Sequence, residues 1–368
     1  MNATKPGAGK IAWALVLGLA MTSPAYASSI SLFSFSPLIV AGDPNGVPPD
    51  SPANRVDPNV PASDFSGVVS INIRYVENDV QLSFICSGTL VSSRDVVTAG
   101  HCLDIDGNGT LIDITQPFTD VRVVFNAGPT PADSAVVTAT EVSMHPDYEG
   151  FGNCPVGVPG VCLNDDIAVV HLGQDAPANA RIYSVLAGGI GVGQLDTLVG
   201  YGMSGDGING YTVGPDFRVK RVGENVMDLF DLDDEQNFLA GPAEVWYSDF
   251  DGNGEDTFCD LFLVCTPILA NDREANIGGG DSGGPSFFLH GGEYFLMGNN
   301  TFGGTFDGQV PGAFGTIFGG MLIDPYIGYL QLASDGLIDV YAVPEPATLS
   351  LILAGLGLAR ARARRRKA

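Results

Sequence analysis

The chain has 368 residues, 45% of them apolar, and a mean hydropathy of +0.19, so it can bury a core and is not globally disordered. Its formal charge is -25, and eight of the 17 basic residues sit in the end segments, leaving a body that should repel nucleic acid and anionic membranes. Abundant glycine (49), 24 prolines and only 16% charged residues suit short strands joined by turns better than long helices.

Residues 1–27 read as a secretory signal peptide. Lys5 and Lys10 form its basic start, Ile11 to Met21 its apolar stretch, and Ala25-Tyr26-Ala27 a small-x-small site for signal peptidase. The apolar run is shorter than the about 20 residues that a bilayer-spanning helix needs. Residues 28–55 follow as a propeptide or linker rich in Pro, Asp, Asn and Ala. Residues 56–342 form the main domain. Its β-like runs are Val68 to Tyr75, Val80 to Ile85, Asp95 to Thr98, Val121 to Phe125, Ala135 to Val142, Ile167 to Leu172, Thr197 to Val199, Tyr294 to Met297 and Ala313 to Phe318. Near the end, Asp324 can cap a helix, Pro325 fits its first turn, and Tyr326, Ile327, Leu330 and Leu332 can share an apolar side. The fold class is all-β, a barrel or sandwich pair with one short C-terminal helix.

Residues 343–368 have three parts: Val343-Pro344-Glu345-Pro346, a mainly apolar stretch from Ala347 to Ala359, and a basic cluster from Arg360 to Lys367. The last two parts can form a short helix held by positive charge on the cytoplasmic side. The six cysteines, Cys86, Cys102, Cys154, Cys162, Cys259 and Cys265, all lie between the two end segments. An even count in an exported chain implies disulfides; six cysteines allow 15 pairings, and their grouping suggests three local bridges.

Three segments carry chemistry. Val96-Val97-Thr98-Ala99-Gly100-His101-Cys102 ends an apolar strand in a His, beside a Cys that can pin it to Cys86. Leu163-Asn164-Asp165-Asp166-Ile167-Ala168-Val169-Val170 puts a carboxylate at the mouth of a buried strand. Gly280-Asp281-Ser282-Gly283-Gly284-Pro285 is a glycine-rich serine turn. Acyl transfer needs these types. A serine hydroxyl is a weak nucleophile until an imidazole takes its proton. A carboxylate fixes the imidazole's tautomer, and backbone N–H groups in a tight turn hold the oxyanion. Asp165 is a rival to Asp166 for the orienting place.

On these segments the chain resembles the chymotrypsin/trypsin-like serine protease family, over roughly Val56 to Leu332. The order His, Asp, Ser is that family's. The resemblance implies His101 as general base, Asp166 as its orienting group and Ser282 as nucleophile, with Gly280 and Ser282 supplying the oxyanion hole. His145-Pro146-Asp147-Tyr148 and Val199-Gly200-Tyr201-Gly202 also look like family segments. It implies two six-stranded antiparallel barrels with the site between them, and peptide or protein as substrate, with no cofactor for catalysis. Asn276, six residues before Ser282, would stand at the pocket base, and its neutrality argues against strict Lys/Arg preference. Asn300-Thr301-Phe302-Gly303 would pair with substrate. Family members need a freed amine paired with the aspartate before the nucleophile, here Asp281. Both Ile39 and Val56 can supply it, and cleavage after Arg55 to free Val56 fits the family's spacing to His101 better.

The C-terminal segment resembles the PEP-CTERM sorting tail of Gram-negative bacteria, which implies an exosortase-type processing enzyme as a partner. It also implies a place in the cell envelope, at the outer surface or outside the cell after processing. Two loops have the alternating oxygens and sixth-position glycine of calcium loops: Asp249, Asp251 and Asn253 with Asp260 twelfth, and Asp104, Asp106 and Asn108. A non-catalytic matrix or adhesion protein on the same scaffold is the competing function.

Overall fold

Alternation decides the first half of the molecule. Val69, Ile71 and Ile73 face inward and are fully buried, together with Val121 and Val123 on a neighbouring strand. In the computed structural model, residues 31–33 and 39–343 are described, apart from Pro129 and Asp307. The expected signal peptide and nearly all of the sorting tail lie outside the described residues.

Ser31–Phe33 is β1. β2 (Val68–Glu77), β3 (Val80–Leu90), β4 (Asp95–Thr98), β5 (Asp120–Asn126), β6 (Ser134–Met144) and β7 (Ala168–Leu172) form a closed antiparallel barrel in the order β2-β3-β4-β7-β6-β5. Closure leaves it no free edge.

The second half contains β8 (Val185–Ala187), β9 (Gln194–Gly200), β10 (Ser204–Asp206), β11 (Gly210–Val213), β12 (Arg221–Met227), β13 (Leu229–Leu232) and β14 (Ala243–Asp249). The helix α1 (Thr257–Phe262) follows, then β15 (Pro285–His290), β16 (Glu293–Thr305), β17 (Ile317–Leu322), α2 (Ile327–Ala333) and β18 (Val340–Ala342). The path β12-β9-β15-β16-β17-β14-β13 curls like a barrel but does not close, in contrast to the six-stranded barrel expected. Side chains bridge the gap between β12 and β14. Asn225 Nδ2 donates to Asp249 O at 3.0 Å, and Ser248 Oγ to Val226 O at 2.7 Å. The two halves meet on a shared core that includes Val97, Val169, Tyr201, Phe287, Phe302 and Met321.

Three local expectations shift. The run Ala313 to Phe318 is mostly turn, and the strand begins at Ile317 after Gly315 takes a left-handed φ of 82°. Asp324 does not cap the last helix; its Oδ1 accepts from Gly188 N at 2.9 Å. The chain before residue 56 is not all linker, because Ile39, Val40 and Ala41 are fully buried. The unexpected α1 is capped by Asp256, which accepts from Cys259 N.

Candidate active site

His101 sits in a single turn after β4, and the Cys86–Cys102 disulfide ties that turn to β3. Cys154–Cys162 and Cys259–Cys265 are the other two bridges, so all three are local as expected. Asp166 leads into β7 and is fully buried. Ser282 lies in the turn before β15, on the other half of the molecule. The structure brings the three together. His101 Nδ1 is 2.7 Å from Asp166 Oδ2, and His101 Nε2 is 2.8 Å from Ser282 Oγ. The backbone N–H of His101 also donates to Asp166 Oδ1 at 2.7 Å, so both carboxylate oxygens hold the same residue. This fixes Nδ1 as the donor toward Asp166 and leaves Nε2 to face the hydroxyl.

The serine turn is held from several sides. Ser87 N donates to Ser282 O at 2.8 Å, Gly283 N to Asn300 O at 2.7 Å, and Ser87 Oγ to Gly280 O at 2.7 Å. Gly283 has φ 76°, and a Cβ there would stand 2.0 Å from Thr98 Oγ1, so any side chain would break the approach of the two halves. Among the described residues, the N–H groups of Gly280 and Ser282 meet no protein acceptor.

The family described as Trypsin matches residues 59–213. Over that stretch the chain is similar to trypsins. A PEP-CTERM protein-sorting motif matches residues 342–367 and indicates export in Gram-negative bacteria. Brachyurin from Leptuca pugilator is 27% identical over 125 residues, 33% of this chain and 47% of that protein. A trypsin-like protease from Streptomyces glaucescens is 34% identical over 73 residues, 20% of this chain and 24% of that protein. The serine protease Hayan of Drosophila melanogaster is 31% identical over 94 residues, 26% of this chain and 12% of that protein. The matched stretch thus spans less than half the length of each of these relatives.

The trypsin-like frame separates the two neighbouring aspartates. Asp165 takes a left-handed φ of 62° and turns away from His101, toward His145, whose Nδ1 is 3.1 Å from Asp165 Oδ1. Two positioning residues had no motif to reveal them. Asn299, fully buried, donates Nδ2 to Thr98 O at 3.3 Å and to Asp166 O at 3.2 Å, and its Oδ1 accepts from Met321 N at 3.0 Å. It therefore ties the aspartate segment to the second half. Phe151 meets the His101 ring edge-on at 5.7 Å. Both are contacts across the fold between residues far apart in sequence.

The expected substrate residues separate as well. Asn276 is 1% exposed and fully engaged: Nδ2 donates to Thr316 Oγ1 at 2.8 Å, and Oδ1 accepts from Ile277 N at 2.6 Å. Asn300 N donates to Gly284 O at 2.8 Å, so Asn300 is engaged with the serine turn through both its N–H and its carbonyl. Thr301 and Phe302 are buried, and Phe302 packs on Tyr247. Of the four, Gly303 alone lies in the stretch that pairs with an extended peptide. That peptide is β1, antiparallel to β16 with Phe33 opposite Gly303 and Ser31 opposite Thr305.

The cleavage expected after Arg55 does not fit. Arg55 is 6% exposed; its Nε donates to Asp50 Oδ2 at 2.7 Å, and its NH groups reach Arg273 O and Glu274 O, each at 2.8 Å. Val222 N donates to Arg55 O at 2.8 Å, which builds the Arg55–Val56 bond into a β-bridge, while Val56 itself is 43% exposed. A protease would find this bond already paired. Ile39 occupies the buried place instead: its carbonyl accepts from Ser204 Oγ at 2.8 Å, and Val40 N donates to Asn276 O at 2.8 Å. Asp281 is fully buried, with Oδ1 accepting from Gly202 N at 3.2 Å and Oδ2 without a donor. Burial pushes its carboxyl well above the usual range, against the Gly202 hydrogen bond and the Arg221 charge.

The two expected metal loops fare differently. Asp104 spends its oxygens on its own loop, accepting from Asn108 N at 3.2 Å and Gly109 N at 2.8 Å, with Asp106 and Asn108 exposed. In the other loop Asn253 and Asp260 are exposed, and Asp260 is not among the carboxylates that cluster there. Asp249, Asp251 and Asp256 instead bring one oxygen each within 4.8 Å of one another. Asp251 is 6% exposed, its Oδ1 faces no donor, and its carboxyl is pushed up to about 8, first by burial and then by Asp249 and Asp256.

Proposed function

We propose that the chain is an exported serine endopeptidase acting through His101, Asp166 and Ser282. The observation that carries this reading is the unbroken line of contacts from Asp166 Oδ2 through His101 to Ser282 Oγ, at 2.7 and 2.8 Å. His101 Nε2 takes the hydroxyl proton as Oγ attacks the peptide carbonyl. The oxyanion that forms accepts from the N–H groups of Gly280 and Ser282. His101 then gives its proton to the departing amine, leaving an acyl-enzyme. A water molecule, deprotonated by the same nitrogen, releases the acid and frees Ser282.

Two observations support a closed precursor. Ser282 has no exposed surface, and β1 lies on the edge that an extended substrate would use. Release of the segment before Ile39 would clear that edge and free an amine for Asp281. Signal peptidase and an exosortase-type enzyme would act at the two ends, leaving the protein at the outer surface or outside the cell. The carboxylates of Asp249, Asp251 and Asp256 would hold a structural calcium ion.

A fluorophosphonate probe tests the central reading. Wild-type protein should label and Ser282→Ala should not, and a peptide library should show cleavage only with the wild type. A processed wild-type chain that neither labels nor cleaves would leave a binding role, such as matrix adhesion, as the better reading.

A further inference from the structure

Four carboxylates meet behind the triad, where the two halves of the fold touch. Asp165 comes from the segment that ends in Asp166. Asp234 and Glu235 lie in the turn after β13, and Glu244 is the second residue of β14. One oxygen from each lies within 4.8 Å of the others. Asp165 and Asp234 are each 3% exposed and Glu244 is 6% exposed, while Glu235 faces solvent.

Buried carboxylates need partners, and these have few. Glu244 Oε2 accepts from Asn164 Nδ2 at 2.7 Å. His145 stands against Asp165, with its ring edge-on to Tyr326 and Tyr329. Asp234 Oδ1 is buried and faces no donor at all. Among the described residues, no Lys or Arg forms an ion pair with any of the four. Such carboxylates repel one another unless protons or a cation join them.

We propose that Asp165, Asp234, Glu235 and Glu244 form a calcium site that clasps the two halves of the fold beside Asp166. The donor set is all oxygen apart from the neighbouring imidazole, which selects a hard cation. Calcium takes six to eight oxygens at about 2.3–2.6 Å, so ligands on opposite sides of it stand about 4.6–5.2 Å apart, and four oxygens all within 4.8 Å of one another can share one such ion. Magnesium needs a tighter octahedral shell, about 4 Å across, and keeps its waters. The motif-like loops in the sequence gave no hint of this cluster, because its members lie up to 79 positions apart and share no spacing rule. The ion's role is positional. Asp165 is adjacent to Asp166 but meets His145 where Asp166 meets His101, so a cation gripping the first fixes the backbone on which the second stands. Asn164, through its contacts to Glu244 and to Leu232 O at 3.0 Å, completes the grip.

The test uses full-length chain carrying Ser282→Ala, stripped with a chelator and titrated with calcium chloride by calorimetry. Those measurements stand whatever chemistry Ser282 performs, so failure here is separable from failure of the protease reading. The parent should bind calcium and melt higher with it. Asp234→Asn/Glu244→Gln should bind one equivalent fewer and lose the matching share of the calcium-induced rise in Tm. Without calcium it should melt no lower than the stripped parent, since two repelling charges are gone. Glu235→Gln, at the solvent edge, should weaken that same equivalent at least tenfold, and Asp251→Asn should leave it intact. Equal calcium stoichiometry and affinity in parent and variants, or no calcium binding by the parent, would overturn the site. Magnesium filling it equally well would overturn the assignment to calcium.

Discussion

Truncating Asn299 is the sharpest probe of how the two halves hold the triad. Asn299→Ala removes four buried contacts at once, the longest being the acceptor for Thr301 Oγ1 at 3.4 Å; the other three are the acceptor for Met321 N at 3.0 Å and the donor to Thr98 O at 3.3 Å and to Asp166 O at 3.2 Å. A buried donor left alone costs about 1–3 kcal/mol. The two carbonyl contacts are longer, and a carbonyl has a second lone pair, so each counts near the lower end of that range. The sum is about 3–5 kcal/mol, a large part of the about 5–15 kcal/mol that holds an ordinary domain together. Urea denaturation of the variant in the Ser282→Ala background measures it. In active protein the fluorophosphonate labelling rate should fall about 10- to 100-fold, because Asp166 loses the tether on its own carbonyl. Asn299→Asp should be worse for the rate than alanine, since it turns a carboxylate toward two carbonyl oxygens. A loss of less than about 1 kcal/mol with unchanged labelling would refute the argument that this residue joins the halves.

Asp196 gives a pH prediction. It is fully buried, bonded to Ser286 Oγ at 2.7 Å and Asn225 N at 3.2 Å, and burial pushes its carboxyl up to about 7 from 3.8. Between these values the folded chain keeps a proton that the unfolded chain has released, so stability falls as pH rises through that window, by up to about 4 kcal/mol. Asp196→Asn should flatten that slope and melt higher than the parent at pH 8; an unchanged slope would refute it. A chain beginning at Ile39 should label faster than one beginning at Ser28, and equal rates would sink the closed-precursor reading. Gly283→Ala should abolish labelling and destabilise by at least about 3 kcal/mol, because the Cβ has no space and φ is left-handed. Replacing Cys86 and Cys102 together by Ser should lower Tm and slow labelling, which a thermal melt and a probe time course would check.

The sequence was legible where information is local. The first barrel's strands alternate strongly enough to be found without a structure, and each triad residue sits in a short segment whose neighbours declare its setting. The short β10 and β11 carry too few residues for a periodic signal, and six-residue α1 is too short to announce itself by apolar spacing. The choice between Ile39 and Val56 turned on burial, which chain spacing does not report. The same holds for Asp165 and Asp166: only the backbone turn at Asp165 decides which carboxylate meets His101. Asn299 was invisible because a buried Asn inside a strand reads as an interruption until its partners across the fold are seen.

The division of the triad has a further consequence. His101 and Asp166 belong to the closed barrel, and Ser282 belongs to the open one. A chain with only its first half folded owns a base and nothing to activate; with only its second half folded it owns a hydroxyl and no base. On the proposed function, no half-built molecule can cut itself or its neighbours, so a polypeptide of this design passes inert through every stage of assembly, and closing the last interface completes the site while β1 still lies along its edge.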